Sequence, residues 1–115
     1  MLIFDLIMNK HLPKSCKVVV IGGGVAGTSC AYHLTKFGWK DVVLLERDQL
    51  TSGTTWHAAG LLGQLGASST ITKIRKYSLD LYKELEKTTG LSTGMKQNGA
   101  ITVASTKERM QELLR

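Results

Sequence analysis

Three features of this chain predict an α/β fold built on a parallel sheet with flanking helices. Residues 17–21 and 41–45 are short aliphatic, β-branched runs without alternation, the pattern of strands covered on both faces. A glycine-rich turn, Gly22-Gly23-Gly24-Val25-Ala26-Gly27, follows the first run directly. A stretch of helical length then separates the turn from the second run. Strand, turn, helix and strand together fill about thirty residues, the size of a βαβ unit.

The elements follow in order. Residues 1–16 read as a lead ahead of the fold, and residues 17–115 as the fold itself. The apolar residues 1–8 are too short to span a bilayer and are interrupted by Asp5. They lack the basic region and small-residue cleavage site of a secretory signal, and the lead holds no Arg, unlike a mitochondrial transit peptide; Met8 is an alternative start. A helix over residues 25–36 places Gly27, Cys30, Ala31 and Leu34 on one narrow face of mostly small residues, suited to close packing on a sheet. Gly38 ends it. The second strand closes with Glu46.

Residues 47–67 form a long loop with four glycines (Gly53, Gly60, Gly63 and Gly66) and few charges. Small residues beside Trp56 and His57 point to backbone lying close to a large ligand. Ser68, Ser69 and Thr70 offer caps for a helix reaching Thr88, with Ile71, Ile74, Ser78, Leu81, Tyr82 and Leu85 on one face and Gly90 as its stop. Lys73, Lys76, Lys83 and Lys87 lie mainly off that face. Asn98-Gly99 signals a turn, residues 100–104 a short strand, and Ser105 with Glu108 a capping box for a last helix from Lys107. That helix pattern is unfinished at Arg115, so the expected domain is incomplete.

A chain of 115 residues, 43% apolar and 21% charged, allows one globular domain and excludes a disordered tail or a disulfide miniprotein. Its net charge is +6, yet the lysines of the first forty residues make no stripe and carry no interleaved aromatics. Nucleic acid is therefore not an expected partner, and neither is a membrane span. Cys16 and Cys30 make no disulfide framework and fit a reducing compartment. His11 and His33 have no Cys or carboxylate at ligand spacing, so no metal site is expected.

Gly22-x-Gly24-x-x-Gly27, placed between a strand and a helix, fits a dinucleotide-binding fingerprint. Gly22 allows the tight turn, Gly24 lets backbone approach a pyrophosphate, and Gly27 lets the helix sit close to the strand. The N–H groups at the helix start, Val25 and Ala26 included, then face the phosphates. Glu46 stands 24 residues after Gly22, where a carboxylate can accept both hydrogen bonds of a ribose diol and would repel an NADP phosphate. The glycines alone leave the choice of dinucleotide open.

Downstream, Leu45-Glu46-Arg47 and Thr51-Ser52-Gly53-Thr54-Thr55-Trp56-His57-Ala58-Ala59-Gly60-Leu61 resemble the FAD-binding segment of the sarcosine and dimethylglycine dehydrogenase family. These are FAD-dependent amino acid oxidoreductases that resemble D-amino acid oxidase. The resemblance continues through residues 84–90 and 97–105, where Gln97-Asn98-Gly99 is slightly nearer the sarcosine branch. It implies a Rossmann-like FAD-binding domain with His57 joined covalently to the 8α-methyl carbon of the flavin. A neutral imidazole is a good nucleophile toward an electrophilic flavin; noncovalent FAD is the alternative.

Of the neighbouring residues, Arg47 is expected along the adenosine half, and Ser52, Thr54 and Thr55 are expected to reach phosphate or ribitol oxygens by hydroxyl or backbone donors; Gly60 and Leu61 complete the segment. The implied reaction takes a hydride from the N-methyl carbon of a small amine, giving formaldehyde or a one-carbon unit for a folate. The folate, an electron-transfer acceptor and the substrate-binding residues belong to later sequence. The expected setting is the cytoplasm, or the mitochondrial matrix in a eukaryote. A non-catalytic alternative is a flavoprotein-like regulator resembling the regulatory subunit of pyruvate dehydrogenase phosphatase, which is similar to the same family but departs from it at the Thr-Trp-His motif kept here. An NAD-dependent dehydrogenase is disfavoured by residues 52–60.

Overall fold

A computed structural model describes residues 2–4 and 13–114, and these fall into two compact units, Met1–Gly60 and Leu61–Arg115. The first unit contains three strands and one helix: β1 (Leu2–Phe4), β2 (Val18–Ile21), α1 (Val25–Lys36) and β3 (Val42–Leu45). The strands form one parallel sheet in the order β1-β3-β2. Val18 pairs with Val42 and Ile21 with Leu45, while Leu2 pairs with Val43. Leu2–Phe4 lies within the segment read as a lead, and it takes the free edge of β3.

The chain passes from β2 to β3 through α1, which packs on both strands. Asp41 steadies the start of the pair, accepting the Lys17 N–H at 3.0 Å on its carboxylate and the Val18 N–H at 3.2 Å on its carbonyl. Gly38, at φ +92°, terminates α1. Trp39 N–H then reaches the Leu34 carbonyl and Gly38 N–H that of Thr35, both at 3.0 Å, the two bonds of a Schellman motif. This is the stop expected at Gly38.

The core is Ala31 of α1 with Val42, Val43 and Leu44 of β3. Burial on both faces was expected of both strands and holds only for β3, which is flanked by β1 and β2. In β2, Val18 and Val20 are half-buried, whereas Val19 and Ile21 are exposed. Among the described elements only α1 packs on β2 beyond its strand pairing, and one helix covers one face.

The second unit holds α2 (Ser69–Thr89) and α3 (Lys107–Leu113). Ser68 Oγ accepts the Ile71 N–H at 3.3 Å to cap α2, and Gly90 closes it in the left-handed conformation. Leu81, Tyr82 and Leu85 of the expected apolar face are half-buried, while Ile71 and Ile74 at its start remain exposed. Residues 100–104 are not a strand. Ile101 is 94% and Val103 85% exposed, and the segment has no partner strand among the described residues. The cap of α3 is Thr106, whose Oγ1 accepts the Arg109 N–H at 3.3 Å, one residue later than the Ser105 expected.

Candidate functional site

Where β2 ends, Gly22 continues the sheet by donating to the Leu45 carbonyl at 2.8 Å, then turns the chain at φ +101°. Helix α1 begins three residues later with Gly24 as its N-cap, a residue with no side chain to satisfy the first helical N–H groups. Thr55, thirty residues on, supplies the missing acceptor: its Oγ1 takes the Val25 N–H at 2.9 Å. A Cβ at Gly24 would stand 3.0 Å from that oxygen, and a Cβ at Gly27 would collide with the Gly22 carbonyl. The turn is thus a backbone cradle that side chains at 24 or 27 would fill.

The Glu46 carboxylate faces this turn. Its Oε2 accepts the Gly23 N–H at 2.6 Å, and its Oε1 accepts the N–H groups of Arg47 at 2.7 Å and Asp48 at 3.1 Å. These donors, Gly23 foremost, hold its pKa below the usual glutamate value. A carboxylate offers about four acceptor positions. Three are taken here, so a ribose diol held by both oxygens must displace at least one backbone donor.

Thr54–His57 folds into a short 3-10 turn with Gly53 before it. Trp56 N–H reaches the Gly53 carbonyl at 3.1 Å, and Ala58 N–H reaches that of Thr55 at 3.2 Å. His57 Nδ1 lies 3.0 Å from the Gly53 carbonyl oxygen. A carbonyl can only accept, so Nδ1 is the donor in this contact.

A cleft of about 1020 Å³ opens between these parts. Ten of the residues singled out from the sequence line it: Gly22, Gly24, Val25, Ala26, Gly27, Glu46, Arg47, Ser52, Thr54 and Thr55. His57 does not, although Thr55 and Ala58 on either side of the Trp56-His57 pair do. Ser52 Oγ donates to the Gln49 carbonyl at 2.8 Å, which commits its proton to the loop itself. Gly60 ends the first unit at φ +69°, and Leu61 opens the second, where it lines a smaller cleft with Arg75 and Leu79. Ile21, Leu45, Asp48, Gly53 and Ala58 also line the main cleft. Each adjoins a motif residue, and that adjacency was the available signal.

Among the described residues no cluster of His, Cys, Asp and Glu could hold a metal ion, and no helix is long and apolar enough to cross a membrane. The arrangement is that of a nucleotide-binding α/β unit: a Cβ-free turn at a helix start beside a strand-end carboxylate. Residues 17–115 match the model of the FAD dependent oxidoreductase (DAO) family, and the chain belongs to that family. It is 44% identical over 96% of its length to 4-methylaminobutanoate oxidase (formaldehyde-forming) of Paenarthrobacter nicotinovorans, and 47% identical over 93% to mitochondrial sarcosine dehydrogenase of Homo sapiens. It is also 46% identical over 90% to the mitochondrial pyruvate dehydrogenase phosphatase regulatory subunit of Mus musculus. The chain spans 12–14% of the length of these relatives. A glycine oxidase from Bacillus cereus has a similar structure, with TM-score 0.63 and 30% identity over 87% of this chain and 29% of that one.

Proposed function

We propose that this chain is the N-terminal, FAD-binding part of an oxidoreductase acting on an N-methyl amino acid, and that His57 carries the flavin covalently. The observation that carries the reading is the Thr55-Trp56-His57 turn, hydrogen-bonded through Thr55 to the glycine cradle of an FAD-family chain. The turn at Gly22, Gly24 and Gly27 suits a pyrophosphate: φ +101° at Gly22 turns the chain, and the missing Cβ atoms at 24 and 27 leave room for the Thr55 hydroxyl and the Gly22 carbonyl. Ala26 and Gly27 present N–H groups without intrahelical acceptors. Glu46 takes ribose hydroxyls by exchanging them for part of its backbone donor set, and Arg47 borders the adenosine half. The bound flavin supplies a two-electron acceptor for the N-methyl hydride, leaving an imine that releases formaldehyde or passes its carbon to a folate.

His57 would form its bond from Nε2, the ring nitrogen that does not face the Gly53 carbonyl. With FAD seated, His57 would be the nucleophile for a C–N bond to the 8α-carbon, that carbon and Nδ1 each giving up a proton. The flavin would supply the two-electron sink for that bond, with dioxygen as the terminal oxidant, reduced to peroxide. The amine substrate, folate and electron acceptor are met by later sequence, in the mitochondrial matrix of a eukaryote or in the cytoplasm otherwise.

The test is the full-length protein with His57→Ala. The parent is expected to keep yellow fluorescence on a denaturing gel and the variant to lose it; a variant still fluorescent after denaturation would defeat the covalent assignment. A non-catalytic regulator is the second reading, favoured by the similarity to the phosphatase regulatory subunit. It is selected instead if the full-length protein shows no flavin absorbance.

A further inference from the structure

We propose that Thr55 is a positioning residue whose hydroxyl locks the His57 turn onto the start of α1. The inference rests on the flavoprotein reading and adds a residue to it. Gly24 leaves the α1 N-terminus without a side-chain cap, so the Val25 N–H needs an acceptor from elsewhere. Thr55 Oγ1 provides it at 2.9 Å, across thirty residues of sequence. A second tether lies four residues earlier, where Thr51 N–H reaches the Gly23 carbonyl at 3.0 Å. Thr51 adopts φ +67° there, a left-handed conformation that β-branched residues rarely take. The loop is therefore drawn onto the glycine turn at two points, one of them against its own backbone preference.

The lock reaches His57 because the turn between them is internally bonded. Gly53 accepts both the Trp56 N–H and the His57 Nδ1 proton, and the Thr55 carbonyl accepts the Ala58 N–H. Fixing Thr55 thus fixes the imidazole two residues later relative to the cradle that seats the pyrophosphate. Bond formation by Nε2, with the proton and electron balance given above and dioxygen as oxidant, depends on that placement; misplacement by about 1 Å costs about a hundredfold in rate. Affinity for FAD does not depend on it in the same way, since removing the hydroxyl returns the Val25 N–H to the cleft.

The experiment compares full-length parent, Thr55→Val and Thr55→Ser proteins. Valine keeps the shape and deletes the acceptor, while serine keeps the acceptor. In the flavin-free proteins, valine is expected to speed amide exchange at Val25 about tenfold, the loss of one hydrogen bond. On adding FAD it is expected to slow the appearance of denaturation-resistant flavin by about tenfold or more. FAD affinity measured in a His57→Ala background should fall by a smaller factor than the attachment rate. Serine should restore exchange and attachment rate together. Unchanged exchange at Val25 in Thr55→Val overturns the lock, and so does an affinity loss as large as the rate loss. A parent that never gains denaturation-resistant flavin overturns the covalent reading instead, and exchange then decides the lock alone.

Discussion

A Cβ built at Gly27 would run into the Gly22 carbonyl oxygen, so α1 reaches its turn only because position 27 has no side chain. Gly22 has the opposite problem: open space around its Cβ position, but a φ of +101° that other residues avoid. Gly27→Ala should therefore push α1 off the turn while sparing the helix, where alanine is favourable. In the full-length protein the expected result is an FAD affinity at least about tenfold weaker, with helical circular dichroism unchanged. An alanine variant binding FAD like the parent would remove close helix–turn packing from the explanation. The need for glycine at 22, 24 and 27 was legible because their spacing follows a strand and precedes a helix. The partners of Glu46 were not. Spacing placed its carboxylate at a strand end, but two of the three N–H groups it accepts depend on how Arg47 and Asp48 bend round it, and the third is that of Gly23 across the turn. The Thr55–Val25 bond was hidden for the same reason, being a contact across thirty residues.

Helices were more legible than the last strand. The span of α1 and the Gly38 and Gly90 stops agree with the sequence, because caps and periodicity are local. A strand depends on a neighbour, so the alternating apolar residues of 100–104 promise an element that no described partner completes. The segment after α2 is instead tied back to the helix. Glu86 Oε1 accepts both the Thr93 N–H and its hydroxyl at 2.7 Å, and these bonds lower the Glu86 pKa. A lowered carboxylate pKa means the tie is complete above the usual glutamate range and fades as pH falls through the lower folded value. Amide exchange at Thr93, corrected for intrinsic rate, should accelerate in that acid window. Glu86→Ala should show the faster exchange already at neutral pH and no further acid step. Equal protection in parent and variant at neutral pH would show that Glu86 does not hold the segment.

Across the molecule, burial is confined to the first unit. Ala31, Val42, Val43 and Leu44 form its core, and no described residue of the second unit reaches the same burial. The exposed residues include large apolar ones: Ile21 at 85% and Val19 on β2, and Ile101 and Val103 in the second unit. Covering a side chain of this size contributes about 1.5–3 kcal/mol, and a domain's whole net stability is only about 5–15 kcal/mol. Relatives seven or eight times longer have ample sequence for that role. Produced alone, these 115 residues should bind a dye specific for exposed apolar surface, associate as concentration rises and hold FAD poorly. Ile21→Ser should reduce the dye signal without restoring flavin, since it removes an apolar surface and supplies no missing wall. A monomeric, flavin-loaded 115-residue protein that leaves the dye unbound would show that the cleft between the glycine turn and the Thr54–His57 turn suffices as a binding site.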